Sequence, residues 1–204
     1  DIHVKAALSK EGRLYFGTSG PGAKFFAVGS SDGSKLWEFS TGQTIWSSPA
    51  IGRDGTVYFG CHDGTVYSLK GSTGSMIWNH DAQSAVHGPV TLGYDNTLFA
   101  TTYGGQLLAL DSRNGKRKWQ FFADGAKIRN APAVASDNSV YFGAINGKLY
   151  AVNGSDGARL WDLQLGSKIQ VSSPCITPDG KILIGSHDSK LHCVQGSAPL
   201  ASDA

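Results

Sequence analysis

Acid–base, metal and thiol chemistry would have to come from sixteen carboxylates, six histidines and three cysteines spread over 204 residues. A paired Asp or Glu would serve general acid–base catalysis, so the carboxylates are sorted first. Glu11, Asp54, Asp95, Asp137 and Asp179 occupy the same place in five recurring turns, and Asp32, Asp111 and Asp156 share a second kind of turn. Glu38 and Asp162 each follow a tryptophan, Asp81 and Asp124 lie in connections, and Asp1 and Asp203 are near the ends. Asp63 and Asp188 are left, in Asp-Gly and Asp-Ser pairs that are ordinary turn residues. No acid–base pair emerges, and no catalytic residue is assigned.

The cysteines and histidines reduce in the same way. Cys61 aligns with Thr18, Thr101, Ala144 and Ser186, Cys175 with alanines and Val90, and Cys193 with Ala27, Ser68, Ala109 and Ala151. Each fills a small-residue slot, which points to packing. His192 sits in a column of Phe26, Tyr67, Leu108 and Tyr150. His62 and His187 hold equivalent turns of the second and fifth units, and without further ligands they make no zinc site. No metal is expected.

Residues that vary between the units are more informative. Just before each recurring hairpin, one ungapped column reads His3, Trp46, Val86, Arg129, Val171 and the next reads Val4, Ser47, His87, Asn130, Ser172. Trp46, His62, His87, Tyr103, Arg129 and His187 form a candidate polar–aromatic patch on one face, built from residue types that anchor interfaces. Unconstrained loop variation is the alternative reading of the same columns.

The elements that position this patch are repeats. Trp37, Trp78, Trp119 and Trp161 follow one another at 41, 41 and 42 residues, each four residues after Gly33, Gly74, Gly115 or Gly157. Five segments, Ala6–Gly17, Pro49–Gly60, Pro89–Ala100, Pro132–Gly143 and Pro174–Gly185, align without a gap as apolar stretch, turn and β-branched or aromatic stretch. Their turns carry Glu11-Gly12, Asp54-Gly55, Asp95-Asn96, Asp137-Asn138 and Asp179-Gly180, pairs that accept positive φ in a tight hairpin. A third strand (24–28, 65–69, 106–110, 148–152, 190–194) and a fourth bearing the Trp (35–39, 76–80, 117–121, 159–163) complete each unit. Four short antiparallel strands per unit predict an all-β propeller, with no 3.6-residue apolar spacing to support helices. The expected blades span about 1–42, 43–83, 84–125, 126–167 and 168–195, with an irregular tail over 196–204 in place of a fifth Trp. Four blades are complete and the fifth is incomplete. The outer Trp of each blade is expected to wedge into the next.

These motifs resemble the pyrroloquinoline-quinone (PQQ)-type repeats of quinoprotein dehydrogenases and BamB-like outer-membrane assembly lipoproteins. The family's docking motif runs Ala-x-Asp-x-x-Thr-Gly-x-x-x-Trp, and Ala109, Asp111, Gly115 and Trp119 match it, with Asn114 in the Thr place. Ala27/Gly33/Trp37, Ser68/Thr73/Gly74/Trp78 and Ala151/Gly157/Trp161 keep the spacing but lack the Asp. The resemblance implies a ring, either of about five blades or larger, and the larger ring is favoured because such rings usually hold more blades. It implies a periplasmic or extracytoplasmic place. It leaves three functions open: a non-catalytic scaffold for protein partners, a PQQ- and calcium-dependent dehydrogenase fragment, or a small-molecule or carbohydrate sensor stacking on Trp46 and Tyr103. The dehydrogenase would need a Cys-Cys pair and spare carboxylates, which the chain lacks, so the scaffold without a cofactor is preferred.

Composition adds exclusions. A net charge of +2 is too small to argue for nucleic acid, and no apolar run has the length of a membrane span. The basic stretch Arg113, Lys116, Arg117, Lys118, continuing to Lys127 and Arg129, begins at a turn and reads as a solvated edge. Three cysteines argue against a disulfide-stapled domain.

Overall fold

The computed structural model describes residues 1–196, all of them in strands, turns and loops. Blade one comprises β1 (Ala7–Leu8), β2 (Arg13–Gly17), β3 (Lys24–Gly29) and β4 (Lys35–Ser40). Blade two comprises β5 (Ala50–Ile51), β6 (Thr56–Gly60), β7 (Thr65–Lys70) and β8 (Met76–Asp81). Blade three holds β9 (Thr91–Leu92), β10 (Thr97–Thr101), β11 (Gln106–Asp111) and β12 (Arg117–Phe122). Blade four holds β13 (Ala133–Val134), β14 (Ser139–Gly143), β15 (Lys148–Asn153) and β16 (Arg159–Gln164). Blade five shows β17 (Cys175–Ile176), β18 (Lys181–Ser186) and β19 (Lys190–Gln195). Each sheet is an antiparallel meander in chain order. The expected tail lies almost wholly outside the described residues. Among the described residues no helix is long and apolar enough to cross a membrane.

Turn chemistry works as the sequence predicts. Gly12, Gly55, Asn96, Asn138 and Gly180 all take positive φ, between 59° and 80°, at the first hairpin of each blade. The last strand of blades one to four carries a bulge at the same point, opposite Ala27/Val28, Ser68/Leu69, Ala109/Leu110 and Ala151/Val152. The bulge leaves Leu36, Ile77, Lys118 and Leu160 without a ladder partner and aims the following Trp at the neighbouring blade.

That Trp is the joint between blades. Trp37 Nε1 donates to Gly71 O at 2.9 Å, Trp78 Nε1 to Ser112 O at 2.9 Å and Trp119 Nε1 to Gly154 O at 2.9 Å. The strand-two tyrosines Tyr15 and Tyr58 donate to the same carbonyls of Gly71 and Ser112, and Tyr141 donates to Gly196 O. Each indole also lies on the glycine of the next docking motif. A Cβ at Gly74, Gly115 or Gly157 would stand 2.7, 2.5 or 2.5 Å from the ring of Trp37, Trp78 or Trp119. Glycine is therefore required there twice over, by positive φ and by contact with the indole.

Blade three departs from the ungapped alignment. Thr56, Thr97 and Ser139 open the second strands by pairing with Lys70, Asp111 and Asn153. Thr97, not Asn96, therefore holds the repeat position, and Pro89 arrives one residue early. Thr101 takes the place of Gly60 and Gly143, and its bulk is accommodated by Gly88, where a Cβ would meet Thr101 Oγ1 at 2.4 Å.

The cysteines do hold small-residue slots, though in blade three the counterparts of Cys61 and Cys175 are Thr102 and Thr91 rather than Thr101 and Val90, and their surroundings differ. Cys61 is buried, its thiol pushed up to about 11 by burial, and donates to Gln43 O. Cys175 and Cys193 are exposed, because the face of blade five that they share with Leu183 carries no cover among the described residues.

Trp119→Ala should cost roughly 3–5 kcal/mol, the range for emptying a buried aromatic site. A chain of this size should then melt roughly 10 °C lower. Unchanged melting by calorimetry would show that the indole is not the joint.

Candidate functional site

The connections between blades and the second turns of each blade share one face, and backbone hydrogen bonds pin them together. His62 N donates to Thr44 O, Tyr103 N to Ala85 O, Ile145 N to Lys127 O and His187 N to Lys168 O, at 2.9–3.0 Å. In the next register step Ile45 N, Val86 N, Ile128 N and Ile169 N donate to Thr18, Cys61, Thr102 and Ala144 carbonyls. These four side chains are buried. Ile45, Val86 and Ile169 press on Gly17, Gly60 and Gly143, where a Cβ would clash at 2.1–2.3 Å. One residue of every connection is thus driven inward, and the residue after it is turned to the face.

Those following residues are Trp46, His87, Arg129 and, after Ile169, Gln170. Val86 is an anchor rather than the counterpart of Trp46, so the expected columns slip by one at blade three. The reason is the early Pro89. With the register corrected, Trp46, His87 and Arg129 belong to one stack. The His3 and Trp46 rings lie 5.0 Å apart and 8° from parallel, Trp46 and His87 are 5.5 Å apart, and His87 and Tyr103 are 4.9 Å apart at 17°. Arg129 Cζ caps Tyr103 at 4.8 Å from the ring centre, and Lys127 Nζ lies at 5.5 Å. Arg129 Nε donates to Tyr103 Oη at 3.0 Å, and its Nη2 donates to the same oxygen. His62 meets Tyr103 edge-on at 5.4 Å.

Five of the six expected patch residues are brought together: Trp46, His62, His87, Tyr103 and Arg129. His187 belongs to the same turn position in blade five, exposed, with no ring partner in the stack. His3, outside the expected patch, also joins the stack. Lys127 leaves the basic run for the same face. Elsewhere in that run Arg113 pairs with Asp111, Arg117 with Gln120, and Lys118 with Asp95 and Thr97. His3 was detectable as the blade-one member of the variable position. Lys127 carried no signal beyond its charge.

Burial and nearby positive charge favour the neutral form of His62 and His87. His62 Nε2 and His87 Nδ1 are 2.9 Å apart, so one must donate and the other accept. Burial, the neighbouring His62 and Arg129 push His87 down to about 4, and burial and Arg129 lower His62. The two carboxylates left over by the sequence reading have structural duties. Asp63 accepts from Gly42 N, Thr65 N and Tyr67 Oη, while Asp188 accepts from Ser186 Oγ and Lys190 N and faces His192. Among the described residues no group of three or more His, Cys, Asp or Glu side chains is placed to hold a metal.

The family model described as outer membrane protein assembly factor BamB matches residues 23–198. The chain belongs to this BamB-like family of PQQ-type repeats. BamB from Moraxella catarrhalis is similar at 20% identity with a TM-score of 0.78, over 96% of this chain and 58% of that one. Quinohemoprotein alcohol dehydrogenase from Comamonas testosteroni is similar at 14% identity with a TM-score of 0.81, over 99% of this chain and 42% of that one. The computationally designed Ika8 protein is similar at 16% identity with a TM-score of 0.75, over 94% of this chain and 70% of its own. These likenesses establish the propeller fold, and the chain spans little more than half the length of the natural BamB it matches. A search of curated proteins finds no match.

The histidine pair predicts a pH dependence. A folded-state pKa held below the unfolded value of 6.5 means that the unfolded chain takes up the proton first. Stability is therefore whole above about pH 6.5 and is lost as pH falls toward about 4. Melting followed from pH 7 to 4.5 should fall, and fall less in His87→Phe, which keeps a ring in the stack without the proton. Equal slopes in the two proteins would remove His87 from the effect.

Proposed function

We propose that the chain is part of a non-catalytic propeller scaffold that binds a protein partner on the face bearing the His3–Trp46–His87–Tyr103–Arg129 stack. One observation carries this reading. The residue after the buried anchor is Trp46, His87 and Arg129 in the connections leading to blades two, three and four, and these pack with His3 and Tyr103 into a continuous, partly exposed row. Trp46 is 37% exposed within it. Trp, Tyr and Arg are the side chains that concentrate binding energy at protein interfaces. The backbone bonds beneath hold the row in place, so little ordering entropy opposes association.

The donor set argues against a PQQ enzyme. The carboxylates of that face are committed to their turns, no two cysteines adjoin, and the Trp46 indole packs on the chain's own His3 and His87 rings. The BamB description of the family supports an extracytoplasmic place and a role in assembling other proteins. Further blades are part of the proposal. Leu191 is 71% exposed, whereas its counterparts Phe25, Val66, Leu107 and Leu149 are wholly buried under the next blade.

Pull-down on the immobilised chain tests the stack. Trp46→Ala combined with Arg129→Ala should lose the proteins that the wild type retains, by tenfold or more, while melting within a few degrees of wild type. Equal retention by both proteins would remove the stack from the binding surface.

A further inference from the structure

The opposite end of the propeller carries surface features of a different kind. An open cleft of about 680 Å³ separates blades two and three beside their first hairpins. Its lining includes Ile77, Leu92 and Tyr94, the guanidinium side chains of Arg53 and Arg113, Ser68, and Asp54, whose carboxylate accepts from Thr56 N and Thr56 Oγ1. Tyr94 is 74% exposed and offers its ring to the opening. Arg53 has no acidic partner among the described residues. Arg113 is held by two hydrogen bonds to Asp111, at 3.0 and 2.6 Å, which fix its guanidinium beside the cleft.

Ser68 supplies an independent sign of a ligand. Its side chain is fully buried, and its hydroxyl has no hydrogen-bond partner. The same strand position is Ala27, Ala109 and Ala151 in the neighbouring blades, all buried. A hydroxyl placed where the repeat uses alanine, and left unpaired in the interior, calls for a partner from outside the chain. The residues at this end are unlike those of the stack. Apolar walls, the Arg53 guanidinium, which has no acidic partner among the described residues, and one buried hydroxyl suit a molecule with an apolar body and an anionic end.

We propose that this cleft binds a small carboxylate with a flat or aliphatic apolar body, its body against Tyr94, Leu92 and Ile77, its carboxylate toward Arg53, and a polar atom on Ser68 Oγ. The probe is indole-3-propionate, followed by amide chemical shifts of the isotope-labelled full chain. Saturable shifts are expected at Ile77, Leu92 and Tyr94, with the neutral alcohol indole-3-propanol binding about tenfold more weakly, as loss of a charged hydrogen bond implies. Arg53→Gln should weaken the acid about tenfold and leave the alcohol unchanged. Ser68→Ala, which installs the residue of the other blades and so preserves the fold, should weaken it severalfold. Trp46→Ala should bind the probe as the wild type does. The proposal is overturned if shifts do not saturate by about 5 mM, beyond the millimolar range of weak specific binding. Shifts centred on His87 and Tyr103 would overturn it too. So would wild-type affinity in both Arg53→Gln and Ser68→Ala, which would leave Ser68 to a water molecule.

Discussion

The indoles of Trp37, Trp78 and Trp119 each reach out of their own sheet, give the N–H to one carbonyl of the next blade and lay the ring on one glycine there. The arrangement satisfies a donor that burial would otherwise leave costly, and it fills a space that only glycine leaves open. Everything else in the molecule is organised by it. The bulge before each Trp turns the ring sideways, the positive-φ glycine of the neighbour receives it, and a tyrosine from the second strand shares the acceptor in the first two joints. Four sheets that would be marginal alone become one stack because the same joint is made again and again.

A joint that repeats relieves other positions of structural duty. The connections need one buried anchor, Ile45, Val86, Ile128 or Ile169, and a backbone bond to the adjacent turn. The next residue is free to be anything: it is Trp46, His87 or Arg129 after the first three anchors and Gln170 after the fourth. At the other end the same freedom shows at the first hairpins, where Arg53 and Tyr94 flank a cleft that the interblade joint leaves open. Rigid strands with variable ends let two chemically different surfaces share one frame.

The sequence was most legible where one local requirement recurs. Asp-Gly and Asp-Asn turns, strand alternation and the Trp–Gly spacing each state a backbone need that does not depend on neighbours far away. It was least legible in the connections, where lengths vary. Pro89 looks like Pro49 and Pro132 but stands one residue out of step, so the stack members could not be aligned by counting. Cys175 and Cys193 show a related limit. Their column marks a slot for a small side chain, while burial depends on whether another sheet lies over it.

The sequence by itself determined the all-β propeller, the docking tryptophans and the structural use of nearly every carboxylate, because these follow from residue type at a fixed period. Tertiary structure alone decided that Trp46, His62, His87, Tyr103 and Arg129 meet, that His187 does not, that His3 and Lys127 join them, and that Ser68 faces a cleft. Contacts across blades join residues some 40 positions apart, as between Trp46 and His87. The distance between them is set by how sheets stack and how connections are anchored, which no local pattern encodes.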